Sequence, residues 1–372
     1  MSIDIHEAKT KSDLKKFVKF PFELYKNNKF WVPPLINDEI KGLMPETNPA
    51  FENCKAKFWI AYKEEKIVGR IGAIINETFN EKTGEKTGRF TRLEFINDHE
   101  VVSSLTKIAE NWLREQGMNK VMGPLGFNNL DLQGMLVEGF EYIPSIASVY
   151  HMSYYLEHLE KLGYEKEIDW VEFRLTLTDT PVDKANRGAG LIMKRFGIEV
   201  VHFKNMAELL PHSDDIFKIL NDAFSDLPFV SPFSPKMMAY YKEKYIKIFN
   251  PEFVKMIKQK GEMIGFIIGL PSLSEAMQKA NGKLFPFGFM HILKARKGID
   301  VMDQVLTGVK KDVLSTGAGV ILMAEIQKQM LSRGMKYIET TGIFETNINA
   351  ISNWKNYEHI QHKRKRCFKK ML

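Results

Sequence analysis

Two glycines in the second half of the chain, Gly317 and Gly319, have the spacing of a phosphate-binding turn. They follow a plausible strand that ends near Val309, and they precede a long apolar helix, VILMAEIQKQML. Glycines let the backbone approach phosphates closely, and the start of a helix directs unpaired N–H groups and its positive end towards them. The pattern predicts an anion-binding turn at 315–320.

A glycine-rich segment, Gly123–Pro144, is the second candidate for chemistry. It follows a predicted strand, and it has no counterpart in the second half, because 46 residues separate Gly117 from Gly163 but only 24 separate Gly334 from Glu358. In α/β sheets, ligands usually bind beyond the ends of strands. A packing loop with its acids in water is the alternative. The residues that we predict to contact a substrate are Asn128, Asp131, Gln133 and Tyr142.

The elements that would position these residues occur twice along the chain. Each half opens with a short alternating run and an amphipathic helix, and paired strands with a tight turn follow. A long helix then ends at Gly117 in the first half and at Gly334 in the second, where a left-handed cap is expected. This order predicts a mixed α/β sheet in each half. We place the two domains at residues 1–180 and 187–372.

The composition of the chain limits the classes of protein to which it can belong. The 372 residues are 44% hydrophobic and 27% charged, as in an ordinary globular protein of two domains. No apolar stretch approaches the ~20 residues of a membrane span, and the start of the chain has no apolar signal core. We therefore expect a cytoplasmic protein without a membrane partner. Two cysteines are too few for a disulfide framework. The nine histidines do not have the spacing of metal ligands, so no metal site is predicted.

The net charge of +7 is divided unequally between the halves. Residues 1–180 carry 23 basic and 28 acidic side chains, and residues 181–372 carry 30 and 18, so the balance is −5 against +12. This division favours an anionic ligand in the second half. The basic run at 362–370 is expected to be a solvated terminal strand or tail. It has no regularly interleaved aromatic residues, which argues against binding to nucleic acid.

With this element order and the glycine pair, the chain resembles the GNAT superfamily, the N-acetyltransferases that take an acyl group from coenzyme A. In that superfamily a turn with the pattern Gln or Arg, two residues, Gly, one residue, Gly or Ala cradles the coenzyme A pyrophosphate. Leu314 stands where Gln or Arg is usual. The resemblance implies two GNAT-like domains in tandem, with acetyl-CoA or another acyl-CoA bound by the second. The residues that it assigns to the cofactor are Val309, Leu314, Ser315, Thr316, Gly317, Ala318, Gly319, Val320, Asn347 and Ala350.

The corresponding segment of the first half, residues 92–105, has no glycine pair. It carries Asp98 and Glu100 at the predicted helix start, where carboxylates would repel a pyrophosphate. The first copy is therefore expected to have lost its cofactor.

The resemblance also directs the search for catalytic groups. Many GNAT enzymes use a helix tyrosine as general acid, but counting from Asn347 places Trp354 at that position and Leu159 at the equivalent one in the first half. Tyr357, nearly one turn further, is the candidate, and a core or surface tyrosine is the alternative. An acceptor amine must lose a proton before it attacks a thioester. Glu138 and Glu141, which would share a face if their segment is helical, are the candidate bases.

The leading interpretation is an acyltransferase that moves an acetyl or other acyl group from acyl-CoA to an amine on a small molecule or peptide. One alternative is a Fem-like aminoacyl or peptidyl transferase that uses charged tRNA. Another is a degenerate, non-catalytic tandem that binds small molecules or acts as a scaffold. A monomer or weak dimer is expected.

Overall fold

The computed structural model describes residues 2–246, 248–296, 300–352 and 357–372. The chain forms two compact units, each assembled from separate stretches of sequence. Unit 1 consists of Met1–Val171, Ser274–Phe289 and Lys363–Leu372, and unit 2 consists of Glu172–Leu273 and Met290–His362. Two late segments thus belong to the unit that contains the N-terminus. Whether residues 1–180 and 187–372 fold as separate domains stays a prediction.

The first 176 residues form seven strands and five helices within the described part of the chain. The conventional elements are β1 (Asp4–Glu7), α1 (Lys11–Leu24), α2 (Ile36–Gly42), β2 (Cys54–Lys63), β3 (Lys66–Asn76), α3 (Glu77–Thr83), β4 (Thr87–Phe95), α4 (His99–Glu115), β5 (Lys120–Gly123), β6 (Met135–Glu138), α5 (Tyr154–Lys161) and β7 (Glu165–Thr176).

The later residues form the elements α6 to α13 and β8 to β14. They are α6 (Asp179–Phe196), β8 (Ile198–His202), α7 (Met206–Leu209), α8 (Ser213–Phe224), α9 (Pro235–Ile246), β9 (Val254–Gln259), β10 (Glu262–Pro271), α10 (Ser274–Ala280), α11 (Gly288–Ala295), β11 (Val301–Val309), α12 (Ala318–Ser332), β12 (Tyr337–Thr340), β13 (Ile343–Phe344), α13 (Ile348–Ser352) and β14 (Glu358–Met371). Short 3-10 helices lie at Pro49–Glu52, Leu210–His212, Pro251–Phe253 and Lys311–Thr316.

The sheet of unit 1 has the strand order β1, β2, β3, β4, β5, β14. Only β4 and β5 run parallel in this series, with Thr87 opposite Lys120. The chain's last strand, β14, closes the series, because Phe368 pairs antiparallel with Gly123 and Met371 pairs with Lys120. The long helix α4 packs its buried apolar face against β2, β3 and β4.

Unit 2 repeats the arrangement with the order β8, β9, β10, β11, β12, followed by the end of β7. Here β11 and β12 are the parallel pair, and β12 pairs antiparallel with the end of β7, where Glu339 lies opposite Arg174. The predicted fold class, a mixed α/β sheet occurring twice, is confirmed. The predicted left-handed caps are confirmed as well, with φ of 81° at Gly117 and 72° at Gly334.

The expectation that the basic run at 362–370 is solvated is wrong. This run lies within β14, and Lys363 and Lys365 are buried. Several acids pair with this run: the Asp169 carboxylate in β7 accepts hydrogen bonds of 2.9 and 3.1 Å from Arg366 and one of 3.1 Å from Arg364. Glu167 lies 2.9 Å from Lys369, and Glu110 lies 3.0 Å from Lys370. Buried basic groups are tolerated in a strand when such partners are present.

Candidate active site

The glycine turn lies in unit 2 where β11 leads into α12. The strand ends at Val309, a 3-10 helix follows at Lys311–Thr316, and Gly317 precedes the first residue of α12 with a φ of 80°. A Cβ at this position would lie 3.1 Å from Ile192 Cδ1, so both the backbone conformation and the space favour glycine.

The start of α12 leaves room for an anion. Nothing lies within 4 Å of the place where a Cβ on Gly319 would be, and the first turn of the helix contains no acidic residue. Within the turn, the Ala318 N–H donates to Thr316 Oγ1 at 3.2 Å and the Val320 N–H donates to the Gly317 carbonyl at 2.9 Å. The positive end of the helix dipole is therefore open towards Gly319.

The strands on either side of this turn separate. β11 pairs with β12 from Val301 to Gln304, but it continues to Val309 while paired with β10 alone among the described strands. β12 ends at Thr340, and the next strand, β13, pairs with β7. From residue 305 to residue 309, β11 therefore has no strand partner on its β12 side among the described residues, although the Thr341 hydroxyl still donates to the Val305 carbonyl at 3.4 Å. We call this stretch, which leads towards the glycine turn, the strand opening.

A cluster of charged side chains lies at the closed end of this opening, and three of them, Asp303, Glu339 and His362, are buried, whereas the Arg174 side chain is partly exposed. Parallel pairing places Asp303 beside Glu339, and antiparallel pairing places Glu339 beside Arg174. The Arg174 Nε donates to Glu339 Oε1 at 2.5 Å. His362 adds its ring, with Nε2 2.6 Å from Glu339 Oε2, and the side chain of this histidine is completely buried. The cluster stands one residue from the point at which the two strands part.

The contacts of His362 locate a proton. Its Nδ1 lies 3.1 Å from the Glu172 carbonyl, which can only accept, so Nδ1 carries a hydrogen. The opposite nitrogen faces the Glu339 carboxylate. Glu339 and His362 thus bring a carboxyl group and an imidazole within 2.6 Å of each other beside the strand opening.

These residues were missed by the sequence analysis. Asp303 and Glu339 each interrupt an apolar strand pattern, in VMDQV and YIET. An acid within a buried strand was the available signal, because such a residue requires a compensating partner.

The candidate acid Tyr357 is anchored to α12. The side-chain amide of Gln327 donates to its hydroxyl at 2.8 Å, and the hydroxyl lies 3.0 Å from the amide oxygen. Burial raises the pKa of Tyr357, so the phenol stays protonated at neutral pH. Its role as an acid stays a prediction, and Trp354 lies outside the described residues.

The other predicted cofactor residues have structural contacts. Asn347 caps α13, since its Oδ1 accepts the Ala350 N–H at 3.1 Å. Val309 is buried at the end of β11, and Leu314 is exposed. Their contacts with a cofactor stay predictions, as do those of Ser315 and Thr316.

The polar side chains of the Gly123–Pro144 segment bind mainly their own loop. Asn128 Oδ1 accepts the Leu130 N–H at 2.9 Å, Asp131 Oδ2 accepts the Phe127 N–H at 2.7 Å, and Gln133 donates to the Asn128 carbonyl at 3.2 Å. These bonds stabilise the loop. Substrate contacts by Asn128, Asp131, Gln133 and Tyr142 stay a prediction.

Glu138 and Glu141 do not lie on a helix. Glu138 is the last residue of β6 and Glu141 lies in the turn that follows, and both are exposed. The Glu138 carboxylate lies 3.3 Å from Arg364 Nε. Their role as bases stays a prediction.

In unit 1, β4 likewise continues to Phe95 beyond its pairing with β5, which ends at Arg89, but the start of the following helix differs from that in unit 2. Asp98 caps α4 by accepting the Glu100 N–H at 2.9 Å, and its pKa is lowered by the hydrogen bond from Lys63. A carboxylate thus occupies the helix start. After β5 the chain stays against β4, because the Leu125 N–H donates to the Phe90 carbonyl at 2.9 Å and the Leu125 side chain is buried.

Unit 1 instead contains a buried group of tyrosines around Glu94. Tyr25 and Tyr155 donate to Glu94 Oε2 at 2.5 and 2.8 Å. Burial raises the pKa of Glu94, although Arg70 and the two tyrosines oppose the shift. The group links α1, β4 and α5 in the core.

In the described ranges no group of three or more His, Cys, Asp or Glu side chains is arranged to hold a metal ion. Among the same residues, no helix combines the length and apolar character needed to cross a bilayer.

The fold of the chain is found in known structures. The chain superposes on a tandem GNAT protein from the clavulanic acid biosynthesis pathway with a TM-score of 0.57 and 10% identity, covering 100% of this chain and 98% of that one. It superposes on a GCN5-related N-acetyltransferase from Sphaerobacter thermophilus with a TM-score of 0.52 and 11% identity, covering 99% and 95%. The chain therefore has the tandem GNAT fold.

Two curated proteins are similar over their whole length. Protein YghO of Escherichia coli strain K12 is 29% identical over 371 residues, which cover 97% of this chain and 94% of that protein. A bacterial ceramide synthase of Caulobacter vibrioides is 26% identical over 383 residues, which cover 100% and 98%. No protein-family model matches the chain.

Proposed function

We propose that the protein is an N-acyltransferase that uses an acyl-CoA donor bound by unit 2. The observation that carries the proposal is the separation of β11 from β12 beside a glycine turn whose helix start is open. The start of α12 at Gly319, with its open space and the positive end of the helix dipole, would hold the pyrophosphate, and the edge of β11 that β12 leaves would lie along the pantetheine arm. The bound thioester supplies an activated acyl group.

The Glu339–His362 pair would handle the proton of the reaction. An amine must be deprotonated to attack, and the departing thiolate must be protonated. A carboxyl group and an imidazole lie 2.6 Å apart at this end of the opening, and both are side chains of the kind that transfer protons in such reactions. We propose this pair as the principal proton-transfer group. Tyr357 remains the proposed acid for the thiolate, and Glu138 and Glu141 remain alternative bases.

A long-chain amine is the acceptor that we favour over a peptide. The curated relative from Caulobacter vibrioides is named a ceramide synthase, and it is similar over the full length of this chain. A ceramide is the amide of a fatty acid with a long-chain amino alcohol. The same chemistry here would join a fatty acyl group from acyl-CoA to such an amine.

Calorimetry with acetyl-CoA and palmitoyl-CoA tests donor binding. In the Gly319→Glu variant a carboxylate would stand at the phosphate site, and at ~4 Å this repulsion lowers affinity by about 10²-fold or more. The matched control is Gly42→Glu, because Gly42 also has open space around its Cβ position. Unchanged affinity in Gly319→Glu, or no binding to the wild type, would contradict the proposal.

Release of free CoA thiol in the presence of candidate amines tests transfer. Binding without amine-dependent thiol release would favour the non-catalytic alternative, and the absence of any CoA binding would favour a charged-tRNA donor. Glu138→Gln and Glu141→Gln separate the proposed bases. We expect near wild-type kcat in both, whereas a loss of about 10²-fold in either would make that glutamate the base.

A further inference from the structure

The segment Leu284–Leu293 exposes large apolar side chains at unusual density. Within the described residues, six of the thirteen exposed large hydrophobic side chains lie in these ten positions. Phe285 and Phe287 are 76% and 67% exposed. Scattered single apolar residues are normal on a protein surface, but a contiguous group marks an interaction site.

The base of this segment is fixed within unit 1. In α10, the Ser274 hydroxyl donates to the Pro144 carbonyl at 2.7 Å, and the Gln278 amide donates to the carbonyls of Lys29 and Trp31 at 2.9 and 3.0 Å. The turn that follows accepts the Ile36 N–H at the Gly282 carbonyl. These hydrogen bonds attach the part of the chain that precedes the apolar residues to unit 1.

Part of the group lies on one side of the short helix α11. Phe285 and Phe287 precede its first residue, Gly288, and the Phe285 and Phe289 rings are in contact, with centroids 5.6 Å apart. Within the helix, Leu293 lies four residues beyond Phe289. Residues three or four apart share a helix face. Phenylalanine and leucine on one face are typical of helices that lie in a bilayer interface.

The charge of the same segment indicates what kind of surface it binds. Residues 276–299 contain five Lys or Arg side chains and no Asp or Glu. Lys283 and Lys294 flank the apolar face, are exposed and form no ion pair with a described residue. Basic residues around an apolar face fit the negative headgroups of a bilayer, to which each lysine near the surface adds about fivefold in affinity.

We propose that Leu284–Leu293 is a membrane-contact segment that inserts its phenylalanines into the surface of an anionic phospholipid bilayer. The sequence interpretation expected no membrane partner because no stretch could span a bilayer, but surface binding does not require a span. The proposal is independent of acyl transfer, and its test does not measure activity.

Cosedimentation with sucrose-loaded vesicles tests the segment. Full-length protein is expected to bind vesicles of phosphatidylcholine and phosphatidylglycerol more tightly than vesicles of phosphatidylcholine alone. The double variant Phe285→Ser/Phe287→Ser should bind the anionic vesicles at least about tenfold more weakly. The matched control is Leu191→Ser/Leu210→Ser, which removes two exposed leucines elsewhere and should bind as the wild type does.

Charge reversal gives a second, separate readout. Lys283→Glu/Lys294→Glu should weaken binding to the anionic vesicles by more than tenfold and leave the weak binding to phosphatidylcholine unchanged. Lys15→Glu/Lys107→Glu, at two exposed lysines elsewhere, is the control. Thermal melting of each variant checks that it is folded.

Three outcomes would overturn the proposal. The first is a wild-type protein that does not bind anionic vesicles. The second is equal loss of binding in the phenylalanine variant and its leucine control. The third is a concentration-dependent dimer, seen by sedimentation velocity, that the phenylalanine variant abolishes, because the segment would then cover a second copy of the chain.

Discussion

His151 should make the protein sensitive to mild acid. The imidazole is buried in unit 1, and its Nδ1 accepts the Leu136 N–H at 3.1 Å, so the folded state holds it neutral. Burial lowers the pKa of His151 to about 3, and the positive charges of Lys365 and Arg70 act in the same direction. Protonation of Nδ1 would break the hydrogen bond from the Leu136 N–H and would place an additional positive charge in the core of unit 1.

The direction of the pH effect follows from linkage. An unfolded chain has a histidine pKa of ~6.5, so between this value and about 3 the unfolded state binds a proton that the folded state does not. The stability contributed by neutral His151 is complete above pH 6.5 and is lost as the pH falls. At pH 5 the loss is about 2 kcal/mol, from ~1.5 pH units at ~1.4 kcal/mol each.

Urea unfolding at pH 7 and pH 5 measures this loss. The comparison is with His151→Asn, which does not titrate and whose amide oxygen can accept the Leu136 N–H. The wild type should lose about 2 kcal/mol more than the variant between the two pH values. Equal losses, or an NMR titration of the His151 ring near pH 6.5, would refute the argument.

Three further predictions concern the site and the fold. Glu339→Gln and His362→Gln should each lower kcat for amine-dependent thiol release by about 10²-fold with acyl-CoA affinity retained, and wild-type kcat in both would place proton transfer elsewhere. Asp98→Ala should lower the stability of unit 1 by about 1 kcal/mol in urea unfolding through loss of the α4 cap, whereas no change would show that the cap contributes nothing. A chain that ends at His362 should lose the near-ultraviolet circular dichroism of unit 1, because β5 loses its partner strand, and a native spectrum would contradict this.

The sequence allowed the repeated element order and the strand, turn and helix around Gly317 to be predicted because each depends on local patterns. Hydrophobic periodicity and glycine at positive φ are properties of neighbouring residues. The resemblance to the GNAT superfamily then supplied the fold.

The charged cluster could not be predicted in the same way. Arg174, Asp303, Glu339 and His362 are far apart in the chain, and strand pairing alone brings them together. The burial of the basic C-terminal run was missed for a related reason. A run of lysines and arginines is usually solvated, and here its burial depends on strand pairing and on acids that are distant in the sequence, Asp169, Glu167 and Glu110.

The position of β14 has a consequence for the order in which unit 1 can fold. All of unit 2 lies in the sequence between β5 and Phe368–Met371, the residues of β14 that pair with it. Translation runs from the N-terminus towards the C-terminus, so the backbone groups of β5 have no β14 partner while unit 2 is synthesised. An open strand edge is a template for association with other chains. Substitutions in Phe368–Met371 will therefore act on a part of the sheet that is synthesised long before them.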